Sequence, residues 1–250
     1  MIYKVDLIEA KVMTLKQFEK ELDEKLIKGF QSLDFFQVGK HHYSREFENG
    51  KVGSILVEKT DRRTKETWFI NIQILFIHDK VEQLGQEVAK EFYAPNYIVN
   101  TVFENLGYLT PQNEYITFDF TIGQKESRIQ KTIDDLLETV EKHAVPMLKK
   151  LCDDEELFKK MRNNGLGLQI TNQIKAPILL FLMGNQNEAY ELATSTLAEI
   201  RPTPKNPQVQ EPENFINSEE AFSFFRRDKD PLYYYNYKIF HNRFRLKINF

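Results

Sequence analysis

The chain has 250 residues, 41% of them hydrophobic and 28% charged, enough to bury a sizeable core as one large domain or one domain with an appendage. A formal net charge of -3 argues against a surface built throughout to hold nucleic acid. Cys152 is the single cysteine, so no internal disulfide can form, and a reducing, cytoplasmic setting is expected.

The first residues, MIYKVDLIEAK, lack the apolar core of about 7–15 residues that a signal peptide needs. No run of about 18 apolar residues is present that could span a bilayer. Tyr3, Val5 and Leu7 alternate with polar residues as a short extended lead-in. Thr14 with Gln17 forms a capping box, and Leu15, Phe18, Leu22 and Leu26 follow at helical spacing, which predicts a helix from Leu15 to Lys28 with Gly29 as its C-cap.

The period then falls to two. Phe36 and Val38 suggest one strand, and Tyr43, Arg45 and Phe47 a second, closed by the tight-turn pair Asn49-Gly50. Gly53, Ile55 and Val57 line a third. After the polar run from Thr60 to Lys65 comes Trp68–Ile77, the clearest strand in the chain. There Trp68, Ile70, Ile72, Ile74 and Phe76 occupy one face, and Asn71 and Gln73 the other. Ile72→Asp is therefore expected to be severe and Asn71→Asp mild. These strands read as an antiparallel meander packed against the first helix.

Val81, Leu84, Val88 and Phe92 mark a further helix that Pro95 should end. Residues 97–107 are ambiguous. Thr110-Pro111-Gln112-Asn113 reads as a turn before a strand of Ile116, Phe118, Phe120 and Ile122. The chain then becomes helical, with a stripe from Ile129 to Val140, a short helix from Pro146, a capping box at Asp153 and Glu156, and a helical hairpin broken at Gly184-Asn185. The first arm of that hairpin is interrupted by Pro177. The Pro-rich stretch beginning at Arg201 reads as a linker. Beyond it Phe240, Phe244, Leu246, Ile248 and Phe250 alternate with His241, Arg243, Arg245 and Lys247, the pattern of a terminal strand that must pair within the chain or with a second copy. The expected organisation is one α+β domain over residues 1–200, a linker over 201–216 and an arm over 217–250.

The order of motifs resembles a bacterial family of unknown function with a helix, an antiparallel meander and a helical tail. The pieces that carry the likeness are Leu26-Ile27-Lys28-Gly29-Phe30, Trp68-Phe69-Ile70-Asn71-Ile72, Asn105 to Pro111, Ala144-Val145-Pro146-Met147-Leu148 and Leu182-Met183-Gly184-Asn185. It departs from the family at Tyr115-Ile116-Thr117-Phe118, where an aromatic pair would follow the turn. Some members of the family look like immunity proteins that neutralise toxins in the cytoplasm. The resemblance thus implies a non-enzymatic protein partner and brings no catalytic residue or cofactor with it.

Local chemistry is sparse. Adjacent His41 and His42 on a strand would point to opposite faces and could not share a metal. Asp153-Asp154-Glu155-Glu156 is best explained by helix-terminus capping. Gly165-Leu166-Gly167 lacks a phosphate-loop context, and acids beside Cys152 should raise its thiol pKa. No catalytic, cofactor or metal residues are assigned. The strongest anomaly is the end of the chain, where seven basic residues from Arg226 to Lys247 stand against Asp228 and Asp230 among several tyrosines. Tyr235, Tyr237, His241, Arg243, Arg245 and Lys247 are the candidate contacts. They suit a solvated face, a protein partner, or single-stranded nucleic acid held by charge and stacking.

Overall fold

The computed structural model describes residues 14–61, 67–93, 100–162, 169–200 and 231–248. The chain is an α+β protein with an antiparallel sheet, an N-terminal helix and a helical C-terminal half. Its lead-in at Tyr3–Leu7, Pro95, Gly165-Leu166-Gly167 and the Pro-rich stretch from Arg201 lie outside the described residues. The six strands are β1 (Phe36–Gly39), β2 (His42–Glu46), β3 (Lys51–Asp61), β4 (Thr67–His78), β5 (Val102–Asn105) and β6 (Phe118–Thr121). Their order is β1-β2-β3-β4-β5, with β6 also paired to β4 through Thr67↔Thr121 and Ile70↔Phe118. Contacts divide the chain into two compact units. One comprises Met1–Arg45, Ser54–Ile74 and Asn105–Pro146, the other Glu46–Gly53, Leu75–Glu104 and Met147–Phe250.

In the first unit, helix α1 (Leu15–Ser32) starts at the expected capping box. The Thr14 backbone donates to Gln17 Oε1 at 2.9 Å, and the Gln17 backbone donates to Thr14 Oγ1 at 3.3 Å. Its buried stripe is Phe18, Leu22, Leu26 and Phe30, and the Phe30 ring meets Tyr43 at 4.6 Å. Gly29 is not the C-cap, since α1 runs on to Ser32. A Cβ at Gly29 would sit 2.5 Å from Leu137 Cδ1. The glycine therefore permits close packing against α3 (Glu126–Thr139) and does not end the helix.

The meander forms as the alternation predicts. Tyr43, Ile55, Val57, Ile70, Ile72 and Ile74 are buried, and Lys59, on the same side of β3 as Ile55 and Val57, bonds Asp23 of α1. On the opposite, outer face the polar residues are not solvated as expected. Asn71 is 2% exposed and Gln73 7%, and a hydrogen-bonded network holds both.

In the second unit, the β2–β3 turn uses Asn49 and Gly50 at φ 59° and 72°, the left-handed pair that such a turn requires. Helix α2 (Asp79–Val88) follows β4 directly. The first unit's α3 runs through a π-helical turn, Val140–Ala144, into α4 (Val145–Lys150) without a break. Helix α5 (Asp154–Arg162) is capped by Asp153, whose Oδ1 accepts from the Glu155 and Glu156 backbones at 2.9 and 3.0 Å. Glu156 turns instead to Lys150 and Lys159, so only half of the expected box forms. The hairpin is α6 (Gln169–Leu182) and α7 (Gln186–Glu199), with Gly184 at φ 89° between them.

Two expectations are corrected here. Pro177 does not interrupt α6, which continues through it. The terminal strand is instead helix α8 (Pro231–Ile248). Phe240, Phe244 and Ile248 are spaced by four, which fits a strand face and a helix face equally well. Tyr237 decides between them. It is buried with Phe240, His241 and Phe244, whereas Leu246 is 58% exposed, a helical stripe and not an alternating face.

Candidate interaction face

The six candidate residues of the C-terminal arm all lie on α8, and most are already engaged. The Tyr237 hydroxyl donates to the Gln173 carbonyl at 3.0 Å. His241 Nε2 meets Thr194 Oγ1 at 3.0 Å, and burial holds its imidazole below the ordinary value, with Arg245 acting in the same direction. Arg243 donates to Glu91 at 2.8 Å, and Lys247 to Glu87 at 2.6 Å. Tyr235 is half-buried and Arg245 exposed. The tail is thus basic in composition, with two of its cations facing acids of this same unit.

Two clusters that sequence reasoning did not find sit in the second unit. Lys51, almost fully buried, donates to the Cys152 carbonyl and to Asp154 Oδ1, the latter at 2.6 Å. The same Asp154 oxygen lies 3.3 Å from His78 Nε2. Asp154 is therefore more than a helix-terminus carboxylate. Burial lowers the His78 pKa while Asp154 pushes it back, and among the described residues His78 Nδ1 is buried without a hydrogen-bond partner. Cys152 beside it has its thiol pKa raised, chiefly by burial. The second cluster is the buried pair Lys175–Glu82 at 2.9 Å. Thr101 donates to Glu82 at 2.6 Å and Tyr93 at 3.2 Å, and Lys175 also donates to the Asn100 carbonyl. Thr101 in turn accepts from the His78 backbone at 2.8 Å. These groups are far apart in sequence, so no local motif announces them.

In the first unit, His41 occupies the β1–β2 turn at φ 60° and lies 3.7 Å from Asp23. Glu19, Asp23 and His41 could between them offer three metal ligands. The Lys59 ammonium, bonded to Asp23 and 3.8 Å from Glu19, already supplies the positive charge there.

The outer face of the sheet is organised differently. Gly107 N donates to Asn105 Oδ1 at 2.8 Å, and Asn105 Nδ2 donates to Asn71 Oδ1. Asn71 Nδ2 and Gln73 Nε2 both donate to Glu58 Oε2, at 2.8 and 3.0 Å. Ser44 and Ser54 share a bond of 2.7 Å on the same face. At its margin, Phe36 pairs with Ser44 across β1 and β2. Phe36 is 58% exposed and Val38 60%. Among the described residues β1 pairs only with β2, which leaves its other edge open.

Neither protein-family models, curated proteins nor solved structures give a match to this chain. Among the described residues no helix is long and apolar enough to cross a membrane.

Proposed function

We propose that this protein is a non-enzymatic binding module of the cytoplasm, and that it acts as an immunity protein neutralising a toxin by occupying its surface. The contact region is edge strand β1 together with the exposed part of the sheet's outer face around Glu58. The observation that carries this reading is the exposure of Phe36 and Val38 side by side on that edge. Large apolar side chains left in solvent on a strand with free backbone groups are what a partner strand or loop covers. The internal pairing of Lys51 with Asp154, of Glu82 with Lys175 and of Lys59 with Asp23 supports the non-enzymatic side of the proposal. In each case the interior charge serves as its partner's counter-ion.

The test is co-expression with each protein encoded beside it, followed by size-exclusion chromatography. A one-to-one complex that Phe36→Glu with Val38→Glu abolishes is the expected result. A complex that this double variant leaves intact, or none with either neighbour, overturns the reading.

A further inference from the structure

We infer that Glu58 is the anchor for an arginine side chain of the partner protein, a proposal that rests on the outer face being the contact surface. Glu58 is exposed, yet its carboxylate is fixed, because two carboxamides donate to the same oxygen, Oε2. Those amides are themselves held. Asn71 is anchored by Asn105 and Asn105 by the Gly107 backbone, a chain reaching from β5 through β4 to β3. No cation pairs with Glu58 among the described residues. Among the described residues its Oε1 therefore remains an available acceptor. Gln73 Oε1, on the same carboxamide that donates to Glu58, is buried and without a hydrogen-bond partner among the described residues. A site with only acceptors left over calls for a group with only donors.

Among such groups the guanidinium fits best. Its planar fork presents parallel donors to a carboxylate, and it is more weakly hydrated than an ammonium. A divalent cation would want several more oxygens and a second charge. Phe69, two residues before Asn71 on the same face and half-buried, offers an aromatic surface for stacking. Phe36 and Val38 supply apolar flanking contact. Ser54, in the row that holds Phe36 and Ser44, is four residues from Glu58, about 13 Å along β3. That spacing suits an anchor and an apolar rim within one protein interface.

The site can be probed without the partner. Side-chain amide resonances of Asn71, Gln73 and Asn105 in the 15N-labelled full chain are followed while Nα-acetyl-arginine amide is added. A parallel titration uses the neutral citrulline analogue. The expected result is a saturable shift of these amides with arginine, at least ten times weaker with citrulline, and lost in Glu58→Gln at unchanged Tm. Equal shifts with citrulline, no shift with arginine, or arginine binding that survives Glu58→Gln would each overturn the inference. The comparison of the two probes on the unaltered chain stands even if the variant folds poorly. Failure here leaves the complex-formation test of the interaction face intact. A complex abolished by Phe36→Glu with Val38→Glu, alongside unresponsive amides, would retain the face and remove its anchor.

Discussion

The hydroxyl of Tyr237 on α8 donates to the carbonyl of Gln173 on α6 at 3.0 Å. Gln173 lies four residues before Pro177, so its carbonyl is the one that the proline, lacking an N–H, cannot satisfy. Tyr233 secures the same residue by donating to Gln173 Oε1 at 2.7 Å. The terminal helix thus repairs the backbone defect that would otherwise break α6, which is why the helix passes through a residue expected to interrupt it.

Tyr237→Phe removes the repair and keeps the ring. A buried carbonyl without a donor costs about 1–3 kcal/mol, read as a fall in the urea midpoint. Pro177→Ala restores a backbone donor for the Gln173 carbonyl, so Tyr237→Phe should cost markedly less in that background. Additive effects in this double-mutant cycle would contradict the link.

Asn71→Asp is no longer expected to be mild. Its Nδ2 faces the Glu58 carboxylate at 2.8 Å, so the substitution sets two carboxylates together at a buried position. The loss should be about 3 kcal/mol or more at neutral pH, recovering in part as the pH falls and the new carboxyl is protonated. Ile72→Asp, which sets a carboxylate at a position only 1% exposed, should unfold a domain with only about 5–15 kcal/mol in hand. Urea denaturation at two pH values separates the cases.

Lys175→Met leaves Glu82 buried without its counter-ion beside Thr101 and Tyr93. Breaking such a pair from one side costs about 3–5 kcal/mol. Glu82→Gln breaks the pair from the other side and should cost a similar amount, since Lys175 loses its counter-ion and, Thr101 and Tyr93 donating to different oxygens, only one of the two keeps an acceptor. A Lys175→Met variant as stable as the parent would show that this pair does not hold the second unit together.

Acid should weaken the fold through its histidines. Burial keeps His78 below its ordinary value of 6.5, so below about pH 6.5 the unfolded chain takes up a proton that the folded chain refuses. The stability that His78 contributes is complete above that pH and is lost as the pH falls toward the folded-state pKa. His41, His42 and His241 are lowered in the same direction. His78→Gln should therefore give a shallower decline in the urea midpoint between neutral pH and pH 5, and an unchanged slope would contradict the assignment.

Much of the sheet was legible because local rules agreed with one another. Asn49-Gly50 marked the turn, and the alternation through Trp68–Ile77 set the inner face. The outer face was not legible. Asn71 and Gln73 have the pattern of solvated residues, and the groups that satisfy Asn71 once buried, Glu58 and Asn105, lie 13 residues before it and 34 after it. The same distance in sequence hid the meeting of Lys51 with Asp154 and of Glu82 with Lys175. At α8 the apolar residues satisfied two periods at once, and only packing against α6 and α7 resolves them.

Binding through the outer face and β1 is tested most directly by hydrogen exchange on a purified complex with a neighbouring gene product. Slowed exchange of the Phe36–Gly39 amides and of the β3 amides around Glu58, with α8 unchanged, is the predicted result. Protection confined to α8 around Arg243 and Arg245, with β1 exchanging as in the free protein, would contradict it.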